Sequence, residues 1–513
     1  MASNLVNLWL NAGGSSPDGW DFVTLDSLLL NSKSMSVGVM YPGKHFEKGV
    51  PLIKVSDVKN GEIASKPDFC ISESVDNEYK RTRLKGEELL ITLVGNPGDC
   101  VIVTDDMIGW NAARALAVLT LKDPSIRHWL RIVLLSSPSK HIIDSRLNTT
   151  VQKTLNLKDI RELPIPLPSK KIREQLCSID SAFEQKCLLN RQTNQTLEQM
   201  AQALFKSWFV DFDPVFDNAL ASGMAVNDFP EALQKRALSR QQQRIQMQQQ
   251  IANEEPLAHK KPSAAKQAEA KPLPQDIRQL FPSEFEQTDE PSIGINGWIP
   301  RGWSIQPAEK VASIAIGKTP PRKQQEWFSD VKQGNVVWSS IKNMAGESAF
   351  INDSSEYLTP ESIDKFNVKV VPKGSVILSF KLTLGRVAIT SCDLATNEAI
   401  AHFVDPKLGL NKEYVYCYLK QFNYGSLGST SSIATAVNSK IIKKMPFLAP
   451  HESITQNFRM SVGSIFSKME AIQNNSLKLE EIRDTLLPKL ISGELTLPAD
   501  HSKTTATTEA YPS

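Results

Sequence analysis

The chain has 513 residues, 41% of them hydrophobic and 22% charged, with a formal net charge of +2. That length calls for more than one core, because single cores rarely grow past about 250 to 300 residues. No run approaches the roughly 18 apolar residues of a membrane-spanning helix, and the balanced charge excludes a globally basic protein. Six cysteines (70, 100, 177, 187, 392 and 417) form no CxxC, and the seven histidines are scattered, which excludes a disulfide framework and a zinc site. The first twenty residues lack the basic n-region of a secretory signal, so the expected location is the cytoplasm.

In chain order, a Pro17-Asp-Gly-Trp20 turn comes first. Short β-branched runs follow at Val50–Val55, Leu89–Val94 and Val101–Val103, bounded by Gly, Pro and Asn. A helical patch covers 127–135. Then comes TTVQKTLNLKDIRELPIPLPS (149–169), and after it a long helical pattern. Its seam residues are Phe183, Cys187, Asn190, Asn194, Leu197, Ala201 and Leu204, with Ser178–Ser181 as candidate capping oxygens and Asp211–Pro214 as the stop. Residues 214–290 read as a short Gln-rich helix followed by a flexible connector.

The second half repeats the first. Pro300-Arg-Gly-Trp303 answers the opening turn. Runs at Val336–Trp338, Val368–Val371, Ser375–Phe380 and Arg386–Ile389 read as strands, and 412–422 as a helix. SSIATAVNSKIIKKMPFLAPH (431–451) aligns without a gap to 149–169 at an offset of 282: Asn156 on Asn438, Lys158 on Lys440, Ile160 on Ile442, Pro164 on Pro446. A second helical seam follows at Val462, Ile465, Met469, Ile472, Ser476, Leu479 and Leu486, ended by Pro488. A repeat this long is a duplicated domain. The fold class expected is mixed α/β (α+β), each domain built on a curved, partly barrel-like sheet. Two duplicated globular domains would be separated by a pair of long antiparallel coiled-coil helices with pseudo-twofold symmetry. Roughly thirty residues of helix would span about 45 Å, somewhat more than a turn of B-DNA.

Three strings imitate catalytic motifs. Ala312-x4-Gly317-Lys318-Thr319 approximates a Walker A loop, but its first glycine is missing and Pro320 and Pro321 remove donors from the required helix. Pro67-Asp68 with Glu78-Tyr-Lys80 imitates a nuclease motif, yet the intervening segment reads as a solvated loop. Asn96-Pro97-Gly98-Asp99 lacks the second proline and the aromatic of an adenine-methylating loop. No catalytic residue and no metal ligand is therefore assigned. A self-sufficient DNA-modifying enzyme and a coiled-coil scaffold without DNA remain alternatives to a recognition protein.

Five motifs, in order, resemble the DNA-specificity (S) subunits of type I restriction-modification systems: Leu163-Pro-Ile-Pro-Leu-Pro168 with Glu174-Gln175, Ala203-Leu-Phe-Lys-Ser-Trp-Phe-Val-Asp-Phe212, Gly297-Trp-Ile-Pro-Arg-Gly-Trp303, Gly317-Lys-Thr-Pro320, and Leu486-Leu-Pro-Lys-Leu-Ile-Ser-Gly-Glu494. The second copy departs from the pattern, with Gln456-Asn457 where Glu-Gln stands in the first. The resemblance implies two target-recognition domains (1–168 and 291–450), spacer helices (169–213 and 451–495), a Gln/Pro-rich linker (214–290) and a disordered tail (496–513). It implies double-stranded DNA with a bipartite site, two methyltransferase (M) subunits and restriction/translocase (R) subunits as partners. S-adenosylmethionine would belong to the methyltransferase, ATP and Mg to the restriction subunit, and no cofactor to this chain.

Base edges and phosphates are read by cationic and hydrogen-bonding side chains. Candidates in the first copy are Lys44, His45, Lys54, Ser56, Lys80, Arg81, Arg83, Arg114 and Lys153. In the second they are Lys318, Thr319, Arg322, Lys323, Ser339, Ser340, Lys342, Asn343, Lys381 and Arg386. Residues 365–392 and 414–451 carry lysines or arginines and no acid, as phosphate contact requires. Trp208, Phe209, Phe212 and Phe216 crowd the end of the first helix. They are candidates for partner docking, with closure of a core as the alternative.

Overall fold

The structure is a computed structural model that describes residues 2–59, 61–63, 65–147, 153–253, 273–345, 348–427, 437–491 and 495. The expected disordered tail and the Pro-rich part of the linker (254–272) lie outside the described residues. The chain divides into two compact units. One takes the residues up to Lys186 together with those from Lys478 onward; the other is Cys187–Leu477.

In the first unit the helix Ala2–Asn11 buries Trp9 against strand Asp21–Thr24. That strand pairs antiparallel with the proline run Pro164–Leu167. Prolines cannot donate to a ladder, so the run sits where only one neighbour pairs with it. Trp129 Nε1 anchors it by donating to Pro166 O at 2.8 Å. Instead of one curved sheet there are two principal ones. Four strands run in the order Met35–Val37, Leu116–Leu119, Leu89–Thr92, Cys100–Ile102; three run Cys70–Ile71, Val50–Ile53, Asn111–Ala112. Helix Arg127–Leu135 covers the core with Trp129, Leu130 and Val133.

The second unit repeats this plan. Strand Ser304–Pro307 pairs with Pro446–Ala449. One five-stranded sheet runs Ser313–Ile316, Ile400–Val404, Val376–Ser379, Val387–Thr390, Phe350–Ile351. The other runs Phe328–Ser329, Tyr357–Leu358, Val336–Ser339, Leu394–Thr396, Val370–Val371. Helix Lys412–Gln421 stands where Arg127–Leu135 does in the first unit. The aligned Asn156 and Asn438 both occupy the N-cap of a short helix, Leu157–Arg161 and Ser439–Lys444, which buries Ile160 or Ile442 before the proline strand begins.

The duplication extends to individual hydrogen bonds. Gly38 N–H donates to Leu116 O (3.0 Å), as Gly317 does to Ile400 O (3.1 Å). Val39 donates to Ala112 O and Lys318 to Thr396 O, at 2.6 and 2.8 Å. Ala113 donates to Ile53 O and Asn397 to Ser339 O, at 2.8 and 3.1 Å. Gly98 donates to Thr92 O and Gly385 to Ser379 O, at 2.9 and 3.0 Å. Both Gly38 and Gly317 are required by close approach: a Cβ would lie 2.0 Å from Ala112 O in one and 2.1 Å from Asn397 O in the other.

The two long helices differ in detail from the sequence expectation. Lys170–Phe209 starts earlier, so Ser178–Ser181 lie inside it and cap nothing; Ser169 Oγ accepts from Ile172 N–H at its start. Glu452–Ile491 passes through Pro488, because buried Leu487, Leu490 and Ile491 hold its last turn in the core of the first unit. Each helix has 40 residues. Within the second unit their seam is antiparallel. Ala201, Val462 and Met469 are buried in its core, with Leu197, Leu204 and Ile465 packed against it. Its middle is polar: Asn190 Nδ2 donates to Asn475 Oδ1 (3.2 Å) and Ser476 Oγ (3.0 Å), and Asn194 Nδ2 to Met469 O (3.2 Å). Within the first unit, Arg131 reaches from its helix to Asp180 and Glu184 of the long helix.

The stretch expected to be linker is largely structural. Helices Asp213–Ala221 and Glu231–Asn253 pair through Arg240, whose guanidinium grips Asp217 at 2.9 and 2.7 Å. Phe216, Phe229, Leu233 and Phe281 are buried in the core of the second unit. Trp208, Phe209, Phe212 and Phe216 lie there too, at most 4% exposed, among Trp303, Tyr414, Phe285 and Phe458. This corrects the docking expectation: the four rings close a core and offer a partner no surface.

Candidate nucleic-acid interfaces

In each unit the shared hydrogen bonds bring together four loops. In the first these are the stretch after Gly38, the turn Val55–Asp57, the hairpin tip Leu93–Asp99 and the turn Ala113–Ala115. In the second they are the stretch after Gly317, the turn after Ser339, the tip Phe380–Arg386 and the turn Asn397–Ala399. The turns close alike: Lys54 N–H donates to Asp57 Oδ2 at 2.8 Å and Ser340 N–H to Asn343 Oδ1 at 2.9 Å.

Lys44, His45, Ser56, Lys80, Arg81, Arg114 and Lys153 are exposed in the first unit. Arg114 N–H donates to Val39 O at 2.9 Å, which fixes Arg114 beside the loop carrying Lys44 and His45. Lys153 adjoins Thr154, which bridges to Val94 of the hairpin tip. Lys54 is half-buried, its Nζ 3.7 Å from the centre of the Phe69 ring. His45 Nδ1 accepts from Cys70 N–H at 3.1 Å, so its Nε2 is left to face outward as the donor. Arg83 is committed inward, to Asp76 and to Asn77 Oδ1 (2.8 Å), and Asp76 also accepts from Asn111 at 2.9 Å. That network holds a fold and leaves Arg83 little freedom to read a base.

In the second unit the cations meet acids. Arg322 grips Glu356 through two bonds, 2.6 and 3.1 Å, and stacks 4.4 Å from the rings of Phe328 and Trp338. The hydrogen bond from Arg322 holds the Glu356 carboxyl below its usual range. Thr319 donates to Glu398, and that bond, aided by the charges of Lys381 and Arg322, keeps the Glu398 carboxyl ionised to lower pH than usual. The surface thus offers acceptors as well as donors, and a carboxylate can accept from a cytosine amino group. Lys318 Nζ donates to Phe366 O at 2.6 Å. Lys323, Lys342 and Lys381 are exposed, Ser340 and Asn343 are half-buried and bonded to each other, and Arg386 donates to Ile341 O at 2.8 Å. Ser339 is a correction: its side chain is 0% exposed in a central strand, where no base edge could reach it.

Sequence reasoning missed the exposed apolar side chains on the same loops. Tyr41 and Phe46 (76% and 51% exposed) flank Lys44 and His45, and Leu382, wholly exposed, follows Lys381. Their signal was present as apolar residues beside cations in stretches that otherwise read as turns. Glu398 was missed as well, because cationic and neutral hydrogen-bonding side chains are the commoner readers of DNA.

The imitated motifs dissolve. Gly317-Lys318-Thr319 leaves a strand and enters a turn, with no helix to present amides to a phosphate. Glu73–Glu78 forms a short helix capped by Ser72 where a loop was expected, and among the described residues no group of three His, Cys, Asp or Glu could hold a metal. No helix among them is long and apolar enough to cross a membrane.

Residues 17–199 match the model of the type I restriction modification DNA specificity domain. The chain is 28% identical over 460 residues to the type I restriction enzyme HindI specificity subunit of Haemophilus influenzae, covering 87% of this chain and 94% of that protein. Over most of its length this chain is thus similar to type I restriction-modification specificity subunits. It is also 29% identical over 187 residues to the EcoBI specificity subunit of Escherichia coli, covering 36% of this chain and 39% of that one. Among solved structures, the type I restriction-modification S subunit from M. genitalium aligns over 92% of this chain and 96% of its own length, at 12% identity and a TM-score of 0.41.

Proposed function

We propose that this chain is a DNA-specificity subunit that recognises a bipartite DNA site, each unit reading one half through its four clustered loops. The observation that carries this reading is one backbone hydrogen-bond frame, present twice, that presents different side chains each time. A duplicated frame gives two reading heads; unlike loops give two unlike half-sites. The first head offers Lys44, His45, Arg114 and Lys153. The second offers Lys318, Thr319, Lys323, Lys342, Lys381 and the Arg322–Glu356 pair. The long helices serve as the spacer and as the docking surface for methyltransferase subunits, two per chain to match the duplication. The chain acts in the cytoplasm and carries no catalysis. Methylation is done by those partners with S-adenosylmethionine, and cleavage by restriction subunits with ATP and Mg.

The test is a methylome. The chain is co-expressed with its neighbouring methyltransferase in a host without DNA methylation, and modified adenines are mapped. Methylation at one bipartite motif, absent without this chain, is the expected result. Soluble, associated proteins that methylate nothing would overturn the reading in favour of a scaffold. Methylation by the purified chain alone would overturn it in favour of a self-sufficient enzyme.

A further inference from the structure

Leu382 is 100% exposed and stands at φ +61, a left-handed conformation that leucine rarely adopts. The strain is built in. Thr383 N–H donates to Lys381 O at 2.7 Å, closing a three-residue turn about Leu382. Ser379 Oγ donates to Thr383 O at 2.5 Å and accepts from Arg386 N–H at 3.0 Å, while Gly385 N–H bonds Ser379 O at 3.0 Å. A leucine held rigidly in water, in a conformation it disfavours, gains nothing from its own fold. The tip joins the antiparallel strands Val376–Ser379 and Val387–Thr390. Both strands lie inside the five-stranded sheet, so the tip alone projects from it; on the base edges of the major groove the only apolar group is the thymine methyl. Exposed Lys381 precedes Leu382 on the tip, in a stretch (365–392) that carries five cations and no acid in sequence, and Glu398 of the neighbouring turn lies within reach of its charge. The equivalent tip in the first unit, Leu93–Asp99, has Gly95 where Leu382 stands and carries no cation.

We propose that Leu382 is a specificity-determining residue that packs on the 5-methyl group of one thymine in the major groove of the half-site read by the second unit. This rests on the DNA-reading function proposed above. Lys381 holds the adjacent phosphate, and the strained turn spares Leu382 the entropy of being ordered on binding.

The experiment uses the chain assembled with its methyltransferase and duplexes bearing the bipartite site found by methylome. Each thymine of that half-site is replaced in turn by deoxyuridine, which removes only the methyl group. One replacement should weaken binding by the native complex about 5- to 20-fold. L382G, which relieves the backbone strain and so keeps the fold, should bind the thymine duplex as weakly as the native complex binds the uracil one, and should ignore the replacement. A half-site without thymine, no sensitive thymine, or equal sensitivity in L382G would overturn the proposal while the native complex still bound its site. A rise in 2-aminopurine fluorescence beside the site that depends on Leu382 would also overturn it, in favour of a wedge between base pairs. Failure of the native complex to select any bipartite duplex would instead remove the reading beneath it.

Discussion

In the first unit the stretch after Gly38 exposes Met40, Tyr41 and Phe46 beside Lys44, His45 and Lys48, and the hairpin tip carries no cation. In the second unit the exposed apolar side chain stands on the tip instead. The stretch after Gly317 reads Lys-Thr-Pro-Pro-Arg-Lys, and the tip carries Lys381 and Leu382. Eleven residues separate Gly38 from Val50, whereas eighteen separate Gly317 from Val336, and the longer loop adds the strand Phe328–Ser329 on which Arg322 stacks. At the third position Arg114 faces its counterpart Glu398 across the comparison. The frame beneath is the same in every bond compared, so unlike side chains stand on one backbone scaffold.

The strongest break of that comparison is steric. Gly317→Ala or Gly38→Ala places a Cβ about 2 Å from a backbone oxygen, and each should cost about 2 to 4 kcal/mol of stability in chemical denaturation. Gly43→Ala, at φ +70 with open space around it, should cost only about 1 kcal/mol. If Gly317→Ala is as mild as Gly43→Ala, the frame is not a constraint.

The units should next differ in their response to acid. His402 is buried with Nε2 2.6 Å from Thr396 Oγ1, and burial lowers its pKa from 6.5 to about 4. The unfolded chain takes up a proton near pH 6.5 that the folded one refuses until about 4. Stability therefore falls across that window, by up to about 2 to 3 kcal/mol. The first unit has Val118 at the equivalent strand position, so His402→Val should flatten this slope in urea melts at stepped pH.

Asp180 acts in the opposite direction and more weakly. Burial, with Glu184 beside it, raises its carboxyl to about 6. The folded protein keeps a proton there that the unfolded chain releases near 3.8. The stabilisation is complete below about pH 4 and lost as pH rises through about 6, a change of about 1 kcal/mol after allowance for solvent screening. Asp180→Asn should remove that rise, leaving the His402 slope untouched.

The smallest effect on the fold should be the most informative about recognition. Tyr41→Ser should leave stability within about 0.5 kcal/mol, yet weaken duplex binding several-fold through the first half-site alone. A loss spread evenly over both half-sites, read from methylation of mismatched duplexes, would blur the division between the units.

The repeat was legible because its anchors are local. An N-cap asparagine, an isoleucine one turn on and a proline strand recur at fixed spacing, and Asn156 and Asn438 take the same place in both units. The polar interruption of the helix seam was legible in heptads, and the bonds from Asn190 and Asn194 give it a physical form. The linker was misread because Phe216, Phe229, Phe281 and Phe285 are spread over some seventy residues of otherwise polar sequence, and only tertiary packing gathers them. Pro488 was read as a stop by local chemistry, which the packing of Leu487 and Leu490 outweighs. Ser339 shows the limit at the site. Residue type suggested a reader of bases, but strand position buries it. Individual base contacts stay illegible in sequence, since exposure and hydrogen-bond commitment decide which of many similar cations are available.

The first unit takes Leu487, Leu490 and Ile491 into its core, although its first segment ends at Lys186. A ribosome adding about 5 to 20 residues per second makes nearly all of that unit, then spends some 15 to 60 seconds on the chain in between. The unit synthesised first is the last to be completed. Throughout that interval the core that holds Trp129 and Leu176 lacks the side chains of a helix not yet made. A nascent-chain chaperone has more to protect at the start of this protein than at its middle.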